Sequence, residues 1–403
     1  MFRQSGDIIL SSGEVYEKQV VEGNLYLKGG KISPSVISLT VKGDLLVEAR
    51  SQIPGNIACH KATLKADMEV AGNLESIEGI TASRSTLSVK GNIKARTLDA
   101  DRTVEADAIS CEKAIAGNDI IFGKRMECRT VSVGGMIKGS DLKCDDIQAD
   151  SVKLDHVECR NLRIGISAQI TGGTFDSASV DGDLESTGHI EGSLITTGKN
   201  AEFNSVKCDT MNIGGNMLAR GLVEVDELKT GRSLECSDTI ANEIIVADSI
   251  KSSGNITATG DIRAGELVSV DGDIECNTLE AGGEIHARRV LCRMNIEAGK
   301  VLQTIKGAKA NMIMLGRNCS VTGPIYGDQV IFSRGATAED VYAIILHMKN
   351  DTSAKNVYAD EITMWKNSSI RGKCLYRHWI RSMNGLKIED IGKKVEKLPE
   401  FPF

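Results

Sequence analysis

Leu98-Asp99-Ala100, Val104-Glu105-Ala106 and Ile109-Ser110-Cys111, followed by Ile115, write one short unit three times over. A branched apolar residue is followed by a polar one and a small one, two or three polar residues intervene, and the unit restarts. The restarts fall at steps of six, five and six, so three units consume 17 positions. Alternate side chains of a β-strand point to opposite faces, which turns Leu98 and Ala100 inward and leaves Asp99 and Asp101 in solvent. A strand this short, ended by a corner and resumed at once, suits a coil of three faces better than a hairpin sheet. Such coils stack into a parallel β-helix, an all-β solenoid in which each repeat contacts only its neighbours.

The unit recurs as Leu64-Lys65-Ala66, Ile93-Lys94-Ala95, Met126-Glu127-Cys128 and Val157-Glu158-Cys159, then as Val206-Lys207-Cys208, Leu234-Glu235-Cys236 and Ile274-Glu275-Cys276. Cys111, Cys128, Cys144 and Cys159 follow one another at nearly constant spacing, one small inward slot per coil. The same slot holds Cys208, Cys236 and Cys276, where cysteine serves as a small hydrophobe in place of alanine. Eleven cysteines is an odd number, and no signal peptide or long apolar span is visible. The reading is free thiols in a reducing cytoplasm.

No proline occurs from Gly55 to Gly323, as a stack requires, because each interior strand donates its backbone N–H groups to a neighbouring coil. Pairs such as Gly43-Asp44, Gly55-Asn56, Gly72-Asn73, Gly91-Asn92, Gly117-Asn118, Gly182-Asp183, Gly254-Asn255 and Gly272-Asp273 mark corners, read as positions of positive φ. Aromatic residues are 4% of the chain and hydrophobic residues 41%, which suits a narrow aliphatic core and argues against disorder. A net charge of −7 gives neither a nucleic-acid footprint nor a polybasic membrane surface.

Residues 1–7 form an N-terminal tail, 8–380 a continuous β-helix, and 381–403 a C-terminal helix and tail. The last coils, from about residue 341, are rich in aromatics. Leu386, Ile388, Ile391, Val395 and Leu398 have helical spacing, bounded by Asn384-Gly385 and Pro399, so a short amphipathic helix is expected over Lys387 to Leu398. The Gly-, Ser- and Thr-rich stretch from Ile164 to Asn204 repeats less cleanly and is the expected place for a bend or loop. At ~4.8 Å per coil, roughly 20 coils make a rod about 100 Å long. A terminal coil exposes a row of unpaired N–H and C=O groups that another coil can satisfy. End-to-end assembly is the activity this architecture offers.

The Gly-Asp and Gly-Asn corners, the coils of this length rich in Val, Ile, Ala and Cys, and the start Met1-Phe2-Arg3 resemble the bactofilins, a family of polymer-forming cytoskeletal proteins. The resemblance covers most of the chain as a style of repeat. It implies a right-handed β-helix that assembles into filaments without nucleotide or other cofactor. It also implies membrane contact by a short N-terminal segment, here Met1, Phe2 and Arg3, at the inner face of the cytoplasmic membrane. The plain alternative for these three is an initiator segment that touches nothing. Two apolar side chains contribute only a few kcal/mol when buried, so stable attachment needs the avidity of a filament. The chain departs from the family in its length and in its aromatic C-terminal section. There Trp365, Trp379, Phe401 and Phe403 are read as end-cap or assembly contacts, with Phe401 and Phe403 docking on a neighbour or, preferably, on their own rod. The partners implied are further copies of the chain, a membrane surface and scaffolded proteins of unknown identity.

Two other readings compete. A carbohydrate-active β-helix enzyme needs clustered carboxylates, and Asp99, Asp101, Glu105 and Asp107 offer them. They occupy outward slots of the generic repeat, however, where nothing drives two pKa values apart. The expectation is that the chain is not an enzyme. His60, His156, His189, His286, His347 and His378 are scattered, no CxxC or HExxH motif is present, and no GxxxxGK[ST] phosphate loop occurs. The other competitor is a β-helical scaffold that does not polymerise and displays its faces to partners.

Overall fold

The structure, a computed structural model, describes residues 6–383 and 392–402. The chain divides into two compact units, Met1–Gly198 and Lys199–Phe403. Both are parallel β-solenoid, about 22 turns in all at about 17 residues per turn, and no helix occurs among the described residues.

In the first unit, Leu10, Leu27, Val47, Leu64, Ala82, Ala100, Ala116 and Val133 are successive partners in register. All are buried. The second unit has an equivalent column in Val223, Thr239, Ile256, Ile274, Val290, Ala308, Ile325, Val341, Val357 and Cys374. A fully buried aliphatic side chain contributes roughly 1.5–3 kcal/mol, and here the contribution is repeated turn after turn. Outward slots carry charge ladders instead. Glu48 lies between Lys28 at 2.9 Å and Lys65 at 3.5 Å, and its hydrogen bond to Lys28 holds the carboxyl below the usual carboxylate range.

The stretch that reveals the repeat needs one correction. Leu98 stacks on Ala114, and not in step with Ile115. Ala114 and Ala116 are buried while Ile115 is half-exposed. Ala114 in turn pairs with Val131, one position further along than the step before it. Because side chains alternate with period two, one residue gained or lost at a corner exchanges the faces of the whole strand. The run Ala-Ile-Ala is apolar on both faces, so its pattern alone does not resolve the slip.

The corner glycines also differ from expectation. Among the described residues, positive φ occurs at Gly6, Gly13, Gly29, Gly307, Gly323 and Gly335 and at Arg84, Asn318, Asp351 and Asn367, and at none of the eight glycines of the corner pairs named above. Glycine is needed in those pairs for close approach: a Cβ on Gly55 would enter the van der Waals envelope of the Ile37 carbonyl oxygen in the turn below, and one on Gly182 that of Ile166. The Asx residue has its own task. Asn56 Oδ1 accepts from the Asn73 N–H, and Asn73 Oδ1 from the Asn92 N–H, both at 2.8 Å. Asp238 and Asn255 repeat the arrangement in the second unit, accepting from the N–H groups of Asn255 and Asp273. These four side chains thereby satisfy backbone donors that the turning chain takes out of the ladder.

The stretch from Ile164 to Asn204, expected to hold a bend or loop, is mostly strand, with breaks at 181–182 and 198–200. Met136–Val180 and Asp183–Thr197 are extended, and Ser167 to Val180 pairs in parallel with Asp183 to Thr197. Ile164, Ala168, Ile170, Phe175, Ala178 and Val180 keep the inward alternation, and the Gly, Ser and Thr residues that blur it lie mostly between them. The division between the two units, at Gly198, falls within this stretch.

The C-terminal helix is corrected over its described part, residues 387–391 lying outside the described residues. Lys393–Lys394 is a short strand paired with Leu375 and Tyr376, and the Val395 N–H donates to the Tyr376 carbonyl at 2.9 Å. An edge strand offers ready backbone partners, against which a helix of about three turns, marginal on its own, does not compete.

Candidate functional site

At the start of the first unit, Ile8–Ser11, Val15–Tyr16 and Val20–Val21 each pair only with the following turn, at Leu25–Lys28, Lys31–Ile32 and Thr40–Val41. Among the described residues, nothing pairs with their other side. Ile9, Val15 and Val20 stand exposed on these strands. Below them, Lys31–Ile32 and Ser51–Ile53 are not joined by a backbone ladder, and a groove of about 600 Å³ opens there, lined by Val15, Lys31, Pro34, Arg50, Gln52 and Pro54.

At the end of the second unit, Cys374–Ser382 pairs backward with Ser353–Met364. Its forward pairing, among the described residues, is limited to Leu375 and Tyr376, the two residues met by Lys393–Lys394. Two inward residues of this turn, Tyr376 over Ala359 and Ile380 over Ile362, are half-exposed, whereas Ala359 and Ile362 are fully buried. Among the described residues, this edge is paired forward only at Leu375 and Tyr376, and the inward side chains of Tyr376 and Ile380 are partly uncovered.

Beside this edge runs an outward column, Lys309, Tyr326, Tyr342, Tyr358 and Leu375, each in register with the next. Tyr342 and Tyr358 stack with centroids 4.7 Å apart, and the Lys309 ammonium lies 5.2 Å from the Tyr326 centroid. Phe401 lies against this ladder, 5.6 Å from Tyr326 and 5.3 Å, edge-on, from Tyr342. Burial raises the tyrosine pKa values above the ordinary phenol range.

The residues singled out in the C-terminal section are thus dispersed. Trp365 meets His347 edge-on at 5.9 Å. Trp379, in register with Glu361, carries the Arg381 guanidinium over its ring at 4.5 Å. Phe401 lies against Tyr326 and Tyr342 of its own chain. Met1, Phe2, Arg3 and Phe403 lie outside the described residues. Sequence reasoning missed the ladder as a unit, although Val341-Tyr342-Ala343 and Val357-Tyr358-Ala359 repeat one turn apart, and Ile325-Tyr326-Gly327 precedes them by the same step.

The outward carboxylates serve the stack. Asp101 accepts the Arg84 N–H at 2.9 Å, and Asp107 pairs with Lys124 at 2.7 Å. Asp273 is held below the usual carboxylate range by its hydrogen bond to Arg288, aided by Arg289. Among the described residues, no three His, Cys, Asp or Glu side chains gather as a metal site, and no helix is long and apolar enough to cross a membrane. No family model, curated protein or solved structure matches the chain.

All eleven cysteines are thiols, nine buried and two, Cys111 and Cys128, half-buried. Cys276 and Cys292 sit in register with sulfurs 3.3 Å apart. Burial pushes the Cys111 thiol up to about 12, while a hydrogen bond with Cys144 and burial raise that of Cys128. Because the thiolate is the reactive form, titration of the native protein with Ellman's reagent at pH 8 should find about two thiols, Cys111 and Cys128, reacting slowly and faster as pH rises. Denaturant should bring the count to eleven. Fast reaction of most thiols in the native protein would contradict the buried slots.

Proposed function

We propose that the chain is a bactofilin-like structural protein, not an enzyme, that assembles end to end into filaments without nucleotide. The observation that supports this reading most is the first turn, where Ile8–Ser11, Val15–Tyr16 and Val20–Val21 have, among the described residues, no strand partner on one side. An open parallel edge seeks backbone partners. A turn from the C-terminal edge of another copy supplies them in the same direction and with the same spacing. Such a contact joins two different surfaces, so it repeats from copy to copy, and it yields an open polymer where the rotation between copies does not close a ring. The half-exposed Tyr376 and Ile380 would be covered by the incoming turn, adding burial to the hydrogen bonds.

In this reading the coil is right-handed and three-sided. Val104–Ala106, Ala108–Ser110 and Lys113–Ala116 would be the three sides of one turn, each paired with its counterpart in the next. Met1, Phe2 and Arg3 would hold the polymer at the cytoplasmic membrane, where the many copies in a filament make a weak anchor effective.

The test is negative-stain microscopy and sedimentation velocity of the purified full chain, with and without nucleotide. Filaments that grow with protein concentration in both conditions are the expected result. Discrete particles at every concentration would overturn it in favour of a scaffold that does not polymerise, a reading supported by the strand Lys393–Lys394 over part of the C-terminal edge. Deletion of residues 1–5 should reduce sedimentation of the filaments with anionic liposomes at least several-fold. Unchanged binding would remove the membrane assignment.

A further inference from the structure

We infer that the C-terminal segment is a built-in competitor for the assembly edge, an imitation of the next turn held down by one aromatic anchor. The inference rests on the end-to-end reading and names how that edge is regulated.

Lys393 and Lys394 extend the register of Leu375 and Tyr376 as the first strand of an added turn would. With the N–H of Val395 they occupy backbone groups that the first turn of another copy would need. The segment then leaves the edge and returns along the outside of the solenoid to the tyrosine ladder, where the Phe401 ring meets Tyr326 and Tyr342. The seat for this ring is shaped. Gly307, with φ +110°, has no side chain where a Cβ would lie 3.0 Å from Phe401 Cζ, and Pro324 lies beside it.

Between the strand and the anchor, little else is buried. Lys393, Lys394, Glu396, Lys397, Pro399 and Glu400 are exposed, and Val395, Leu398 and Phe401 are half-buried. The ion pair Lys397–Glu400 is internal to the segment. A two-residue strand is too short to hold alone, so the hold depends on the ring. An incoming turn of another copy offers three strands in place of two residues, but it must first lose its freedom of motion. The segment, tethered to the same chain, has no such loss and wins at low concentration. Its hold therefore sets the concentration at which copies begin to stack.

The experiment compares the full chain with its Phe401→Ala and Phe401→Trp variants. Hydrogen exchange of monomeric protein follows residues 392–396, and sedimentation velocity follows the assembly threshold. Phe401→Ala should speed exchange at residues 392–396 about tenfold and lower the threshold about tenfold, the scale of one aromatic contact. Phe401→Trp should restore both. A circular dichroism melt that matches the wild type keeps the variant interpretable, since the ring lies outside the core. Unchanged exchange in Phe401→Ala overturns the anchor. Faster exchange with an unchanged threshold, in protein that does assemble, overturns the guarding role while leaving end-to-end assembly intact. If neither wild type nor Phe401→Ala assembles at any concentration, end-to-end assembly itself fails and the guarding role fails with it.

Discussion

Thr257→Pro should destabilise the second unit by about 3 kcal/mol or more, while Thr257→Ala stays close to wild type. Thr257 is exposed, in the short strand Ile256–Ala258, with Ile240 in register on one side and Glu275 on the other. Its side chain faces solvent, so alanine removes little. Proline removes the backbone N–H and sets its ring against the neighbouring strand. The absence of proline from Gly55 to Gly323 is the same constraint seen across the whole stack. In a solenoid each turn is stabilised mainly by its neighbours, so the damage should spread outward from the substituted turn. A thermal melt followed by circular dichroism gives the loss, and hydrogen exchange over residues 239–281 locates it. A Thr257→Pro protein as stable and as protected as Thr257→Ala would mean that the ladder at this position contributes little.

Phe332→Ala should cost about 3–5 kcal/mol, the range for deleting a buried aromatic ring. Phe332 is fully buried, in register between Leu315 and Met348, with Met364 one turn further. The core is one narrow column of side chains per slot, and the neighbouring turns are tied in register by their own ladders. Collapse into the cavity is therefore resisted, which places the cost toward the upper end of the range. Ile305→Ala is the control: Ile305 is 80% exposed, and its truncation should fall within about 0.5 kcal/mol of wild type. Urea denaturation of the three proteins decides the matter. Equal midpoints for Phe332→Ala and wild type would show that the site relaxes and that the core is not packed as described.

Most of the fold is legible in the sequence because its decisive signal is local. Leu98 with Ala100, or Ile274 with Cys276, announces an inward pair without reference to any distant residue, and the repeat spacing announces the stack. The corner pairs were legible in place but not in purpose. Gly55 and Gly182 are glycine because the turn below approaches closely, and that neighbour lies a full turn away along the chain. Asn73 receives one hydrogen bond and returns another to turns on either side, which no local motif expresses. The candidate site was legible only in part. Its aromatic residues could be named, but Trp365, Trp379 and Phe401 prove to face three different surroundings. Tyr326, Tyr342 and Tyr358 form one surface because three turns align them.

Period-two alternation within a strand, read with the spacing of its restarts, is enough to specify the all-β solenoid, the length of its repeat and the inward slots filled by aliphatic residues and cysteine thiols. Three outcomes needed the folded chain. One turn falls a residue short of the repeat, as at Leu98 and Ala114. Lys393–Lys394 joins an edge in place of a helix, and Phe401 finds its seat on the tyrosine ladder. The physical reason is common to all three. Each outcome depends on which backbone groups and which side chains an adjacent turn leaves unpaired, and a residue's own neighbours in the chain carry no record of that.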